Sequence, residues 1–249
     1  MKLSRILFPV PLALLAALFV GGQMLLRSRR PVAAPALAES AFAAFGALRS
    51  VAAEVIWFRA DRLQDEGRYV ELAQLASALT SMEPHTPEVW SYAAWNLAYN
   101  VSVMMPTHED RWRWVEAAIR LLRDEGLAYN PGDPELCREI AFLFELKMAA
   151  NIDAAAATYR AKWAAIVADV RMRGAWDELK MSPLKMQLVT QHTGLDDWED
   201  PCLSAIYWAL EGLTRATEKE RPMLLEIIRQ SRVLYQKAHV GPRAPERKP

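Results

Sequence analysis

The chain has 249 residues, of which 52% are hydrophobic and 24% are charged, and it contains two cysteines. This composition excludes a disordered chain, a collagen-like chain and a disulfide-rich secreted scaffold. Thirty basic residues balance thirty acidic ones, but five of the basic residues flank an uncharged segment near the N-terminus. The body at positions 31–249 therefore has a net charge of about −5, which predicts no nucleic-acid partner because the phosphate backbone is itself negative.

Residues 6–26 form a run of 21 residues without a charge, in which Gln23 is the one strongly polar side chain. As an α-helix this run is about 31 Å long, which is enough to cross the hydrocarbon core of a bilayer. The pattern predicts a transmembrane anchor within residues 1–30 that contacts the lipid bilayer, followed by a Pro/Ala-rich linker at residues 31–40.

A cleaved signal peptide is the alternative, since Ala36–Ala38 has the small-x-small form that signal peptidase accepts. The apolar run is longer than a usual signal core, however, and Arg27–Arg30 separates it from that site, so the sequence favours an uncleaved single-pass anchor. Its orientation stays open because both flanks are basic. Lys2 and Arg5 before the run are typical of a signal anchor, which favours a periplasmic body.

Apolar residues recur three to five positions apart through the body, as they do at Phe45, Leu48 and Val51. No alternation of apolar and polar residues is long enough for a strand. Proline and glycine residues divide the pattern into helical segments with short connections. The sequence therefore predicts an all-α body at residues 41–240 and a disordered basic tail at residues 241–249.

The breaks between the helical segments have a regular spacing at the start of the body. Gly67–Tyr69 forms a Gly-x-Tyr turn, and Pro84 follows the glycine by seventeen residues. If the first unit begins at Ala53, the second begins 34 residues later at Pro87. This spacing resembles that of the tetratricopeptide repeat, a 34-residue pair of helices. The resemblance implies an α-solenoid of antiparallel helix pairs, and residues 88–100 also resemble membrane-anchored bacterial repeat proteins.

The same numbering identifies expected contact positions and expected insertions. The small eighth position, where the two helices of a unit approach closely, falls on Ala60, Ala94 and Ala141. The later units begin at Pro134 and Pro201, so the second and third units are longer than 34 residues. We therefore expect inserted loops at 104–110 and 174–200.

In the family that the sequence resembles, the first helix of each unit lines a concave binding face. Carried over by position, this face holds the six candidate partner-binding residues Trp57, Asp61, Trp95, Tyr99, Arg138 and Phe142, and its third unit also includes Glu135 and Glu145. Aromatic anchors with interspersed charges suit an extended peptide or a partner helix. The alternative is that Trp57, Trp95 and Phe142 fill the core between units.

Three other groups of residues have a structural and a functional interpretation. Asn96 and Asn100 share a helix face and either clamp a peptide backbone or, as we favour, hydrogen-bond a neighbouring loop or helix. Residues 111–114, Arg-Trp-Arg-Trp, open a helix in which one tryptophan is expected to pack inward and the other to lie at the rim. His192 stands near the acidic residues 196–200, which we interpret as an acidic helix N-terminus and not as a metal site.

No motif of a hydrolase, a zinc enzyme or a phosphate-binding loop occurs in the sequence. We therefore expect no catalytic residue, no cofactor and no metal. The leading hypothesis is a membrane-tethered helical-repeat scaffold that binds a protein or peptide partner through its concave face. A structural accessory subunit of a larger membrane complex is the alternative, and a hydrolase or metal-dependent enzyme is the third.

Overall fold

A computed structural model describes residues 55–239, and all regular structure within this range is helical. The prediction of an all-α body is therefore confirmed for these residues. The helices are α1 (55–65), α2 (Tyr69–Met82), α3 (Pro87–Trp95), α4 (His108–Arg120), α5 (Pro134–Phe142), α6 (Ala156–Arg173), α7 (Pro183–Thr193), α8 (Pro201–Leu213) and α9 (Arg221–His239), with a 3₁₀ turn at Trp176–Leu179.

Three consecutive helices continue beyond these bounds as π-helix. The continuations are Asn96–Val101 after α3, Leu121–Gly126 after α4 and Leu143–Ala149 after α5. One further α-helical turn follows the first two, at Ser102–Met104 and Leu127–Tyr129. Below, α3, α4 and α5 include these continuations. Because a π-turn holds more residues than an α-turn, it shifts the direction of every side chain that follows.

The residues at their termini explain where several helices begin and end. Proline occupies the first position of α3, α5, α7 and α8, where its missing amide hydrogen costs no helical hydrogen bond. Asp133 caps α5 by accepting hydrogen bonds of 3.0 Å from the amides of Glu135 and Leu136. Gly67 ends α1 with a φ of 69°, a left-handed conformation that favours glycine.

Helix α5 has the most extensive packing of the helices in the described range. It contacts α3 and the π-turn of α4 on the N-terminal side of the chain, and α6, α8 and α9 on the C-terminal side. The largest apolar cluster surrounds it and runs from Trp90 to Ile227. The predicted contact positions Ala60, Ala94 and Ala141 are all at most 1% exposed.

Two features of the C-terminal half differ from expectation. Residues 174–200 are not a plain loop, because they contain the 3₁₀ turn and all of α7. Helix α9 also packs against α5 as well as α8, and it buries Glu145, which the sequence placed on the open concave face. The cause is the amphipathic stripe of α9, whose Leu224 and Ile227 are buried in the main core.

The predicted anchor at 6–26, the linker at 31–40 and the tail at 241–249 lie outside the described residues. Between residues 55 and 239, none of the helices combines the length and the apolar character that a membrane span requires.

Candidate binding face

Trp95 is the most unusual aromatic residue on the surface of α3. All nine tryptophans of the chain lie within the described residues, and Trp95 is the exposed one among them, with 43% of its surface accessible. Its ring stacks on that of Tyr99, with 5.7 Å between the centroids and 28° between the planes. We call Trp95 and Tyr99 the aromatic platform.

A buried ion pair contacts the Tyr99 ring of the aromatic platform. The Nζ of Lys147 lies 4.9 Å from the centroid of the Tyr99 ring, which is a cation–π contact. The same Nζ is 2.5 Å from Oδ2 of Asp153, and both side chains are at most 7% exposed. Desolvation raises the pKa of Tyr99 above its ordinary range, and the negative charges of neighbouring acids add to the shift, so the phenol stays protonated.

Asp153 joins several elements at the loop between α5 and α6. Its Oδ1 accepts a hydrogen bond of 2.8 Å from the amide of Ala155, and Arg111 lies 3.9 Å from it. Burial alone would raise the pKa of Asp153, but the hydrogen bonds from Lys147 and from the Ala155 amide, together with the nearby positive charges, hold it below its usual range. Asp153 is therefore ionised beside Lys147, whose Nζ contacts the Tyr99 ring.

The adjacent face of α5 is polar and mostly acidic. Arg138 donates to Oε1 of Glu139 through Nε at 3.1 Å and Nη2 at 2.9 Å, and its Nη2 is 4.0 Å from Oε1 of Glu135. Burial raises the pKa of Glu135, Ser91 and the charge of Arg138 oppose this rise, and the carboxylates of Glu88 and Glu139 add to it. Phe142, one turn further along, is half-buried against the main core.

Trp57 and Asp61 belong to α1, which packs against α3. The Trp57 ring packs edge-to-face on Tyr92, with 5.0 Å between the centroids, and it contacts the small apolar cluster of Leu79 and Val89. Asp61 is exposed, and its charge adds to burial in raising the pKa of Tyr92. Trp57 therefore helps to join α1 to α3, and Asp61 lies at the rim.

The six predicted residues thus occupy different environments. Trp95 and Tyr99 are in direct contact, and Glu139 of α5 is close enough to Tyr99 to affect its pKa. Trp57 and Phe142 pack partly into apolar clusters. Helix α9 packs against the other side of α5. In the loop before α9, the hydrogen bonds from Thr217 and the charge of Arg138 lower the pKa of Glu220. The open part of the face therefore lies over α3 and the near side of α5.

The paired asparagines have the structural role that we favoured. Asn96 is buried and its Nδ2 donates to the carbonyl oxygen of Tyr69 at 3.2 Å, which ties α3 to the start of α2. Asn100 donates to Oδ1 of Asn96 at 3.1 Å. Trp112 is buried in the core and Trp114 is half-buried, as expected for the Arg-Trp-Arg-Trp segment.

The acidic stretch near His192 is a helix start. Asp200 caps α8 by accepting a 2.7 Å hydrogen bond from the amide of Cys202, and the Nδ1 of His192 lies 3.1 Å from the carbonyl oxygen of Leu188. Among residues 55–239 there is no group of three or more His, Cys, Asp or Glu side chains that could hold a metal ion.

A cavity of about 680 Å³ lies elsewhere, between α4 and α6. Its apolar lining includes the buried rings of Trp112 and Trp163. The charged residues at its rim pair with one another, as Arg120 does with Glu116 at 2.7 Å and Arg173 with Asp169 at 2.7 Å. The cavity therefore presents no surplus of either charge.

Sequence reasoning missed Lys147, Asp153 and Glu139 as parts of the face. The one available signal was Asp153, which lies three residues before α6, where a helix-capping acid is common.

Searches of protein-family models, curated proteins and solved structures find no match to this chain.

Proposed function

We propose that the chain is a membrane-tethered helical-repeat scaffold that binds a protein or peptide partner through the face formed by α3 and α5. The observation that carries this proposal is the exposure of Trp95, whose stacking partner Tyr99 is already held by Lys147. A large aromatic side chain loses little conformational entropy on binding, and tryptophan is among the residues that contribute most to interfaces. Tyr99 loses still less, because Lys147 already contacts its ring.

A tetratricopeptide-like arrangement is part of this proposal. Its support is the burial of Ala60, Ala94 and Ala141 at the eighth positions, together with the contacts of α3 with α5 and of α5 with α8. These are the first helices of the second, third and fourth units, which are neighbours in a repeat stack. Arg138 and Asp61 contribute charge to the binding face, and Trp57 and Phe142 support it.

The tether is proposed from residues 6–26, with the body in the periplasm. Mass spectrometry of the mature N-terminus tests retention of the anchor. A chain that keeps residues 1–30 is expected, and a mature start near Glu39 would show that the segment is a cleaved signal peptide.

Affinity purification of the full chain from neutral detergent tests the binding function. We expect Trp95→Ala to abolish capture of the partner while the melting temperature stays close to that of the wild type, because Trp95 is exposed. Leu184→Ala is the matched control, since Leu184 is also exposed, at 69%, but lies on α7. If Trp95→Ala retains the partner as well as Leu184→Ala does, the binding face is wrong.

A further inference from the structure

We propose that the partner segment bound at this face is positively charged, a lysine- or arginine-rich peptide with at least one cation placed against Trp95. This inference rests on the proposed function and adds the charge of the partner to it. It goes beyond the repeat pattern, because the sign of the charge depends on which side chains the folded α1, α3 and α5 bring to one surface.

Four carboxylates lie on α3 and on the helices α1 and α5 that pack against it. We call Asp61, Glu88, Glu135 and Glu139 the acidic rim. Glu88 and Glu139 are both close enough to Glu135 to raise its pKa, and Glu139 also raises the pKa of Tyr99. The charge of Asp61 adds to burial in raising the pKa of Tyr92, which lies one turn before Trp95 on α3. Glu88 lies seven residues before Trp95 on α3, so both occupy one face of that helix. Helix α3 packs against α5, which carries Glu135 and Glu139 beside Arg138, and α1 contacts α3 through Trp57 and Tyr92. The acidic rim and the platform therefore share one surface.

The described residues of this surface supply little positive charge to offset the acidic rim. Arg138 is the guanidinium within it, and its hydrogen bonds go to Glu139 while Glu135 lies 4.0 Å away. Lys147 is buried beneath Tyr99 and pairs with Asp153. On α3 and α5, the three rim carboxylates Glu88, Glu135 and Glu139 therefore stand against the one guanidinium of Arg138, in contrast to the cavity between α4 and α6, where charged rim residues pair with one another.

The acidic rim and the aromatic platform select the same kind of ligand. An exposed indole face attracts a guanidinium or ammonium group through its quadrupole, and nearby carboxylates increase that attraction. An acidic segment would bring like charges together, and a purely apolar one would cover Glu135 and Glu139 without giving them new partners. The side chains of Glu135 and Glu139 are only 25% and 21% exposed. An apolar segment would remove the water that still contacts them.

Charge reversal in the full-length protein tests the sign of the partner's charge. The variants are Glu88→Lys, which is exposed and so leaves the fold intact, and the milder pair Glu135→Gln with Glu139→Gln. Asp177→Lys is the control, because it makes the same charge change at an exposed site on the distant 3₁₀ turn. The affinity for the captured partner is measured in neutral detergent at two salt concentrations, and cross-linking mass spectrometry identifies the bound segment.

We expect a bound segment with net positive charge, a loss of affinity of about fivefold or more for Glu88→Lys, and no change for Asp177→Lys. The loss should shrink at high salt, because the interaction is screened. If Trp95→Ala abolishes capture but the segment is neutral or acidic, or Glu88→Lys binds as well as the wild type, the inference is overturned while the proposed function stands. If no partner is captured, or capture is indifferent to Trp95→Ala, the proposed function fails, and the inference fails with it.

Discussion

Glu145 makes the stability of the body depend on pH in a predictable direction. Its carboxyl is 5% exposed at the contact between α5 and α9, where Ser231 and Glu226 of α9 face it, Cys202 approaches from α8 and Tyr99 from α3. Burial, and then the charge of Glu226, raise the pKa of Glu145 from 4.5 to about 7. The neutral carboxyl is therefore the form that the folded state favours.

The size of the effect follows from this shift. A difference of about 2.5 pKa units corresponds to about 3 kcal/mol of differential stability. Because the pKa is higher in the folded than in the unfolded state, the contribution is complete below pH 4.5 and is lost as the pH rises toward 7. Glu145→Gln keeps the shape of the side chain and removes the titration. We expect the variant to gain about 3 kcal/mol relative to the wild type between pH 4.5 and pH 8.

Urea unfolding of the full chain in neutral detergent, followed by far-UV circular dichroism from pH 4.5 to pH 8, measures this difference. Glu116→Gln is the control, because Glu116 lies at the surface and pairs with Arg120. The control should change stability by about 1 kcal/mol or less across this range, because an ion pair at the surface contributes little. If Glu145→Gln shows the same pH dependence as the wild type, Glu145 is ionised in the folded chain and the account of the α5–α9 contact is wrong.

Two further predictions concern packing and the buried ion pair. Ala60→Leu and Ala94→Leu should each overpack a helix contact and cost about 1–3 kcal/mol, and an unchanged melting temperature in both would contradict the repeat register. Lys147→Met should cost about 3 kcal/mol in urea unfolding, because it leaves the Asp153 carboxylate buried without its closest partner. Adding Asp153→Asn should recover part of that loss, and a double variant less stable than Lys147→Met would refute this explanation.

The helix boundaries and the contact positions could be predicted because they depend on local chemistry. Proline at the first helical position and glycine in a left-handed turn act within a few residues, so Pro87 and Gly67 mark the chain correctly. The 34-residue offset then places Ala60 and Ala94 at helix crossings, where both are buried. The Asn96 hydrogen bond to Tyr69 follows from the same adjacency.

The remaining features depend on contacts between distant segments. The π-turn at Asn96–Val101 shifts the direction of Tyr99 and brings it over Lys147, and no residue type specifies such a turn. The packing of α9 against α5 buries Glu145, although the repeat register alone places this residue in the open. The repeat register already places Asp61 and Glu135 on one face, whereas Glu139 is outside its concave positions and is recognised as part of the acidic rim only once α5 is placed beside α3.

Hydroxyl-radical footprinting of the free chain and of its purified complex tests the central claim most directly, because it reads side-chain accessibility residue by residue. In the free chain, Trp95 and Met172 should both react, since they are 43% and 81% exposed. In the complex we expect Trp95 to be strongly protected while Met172 on α6 reacts as before. A complex in which Trp95 is oxidised as fast as in the free chain would contradict binding at the face of α3 and α5.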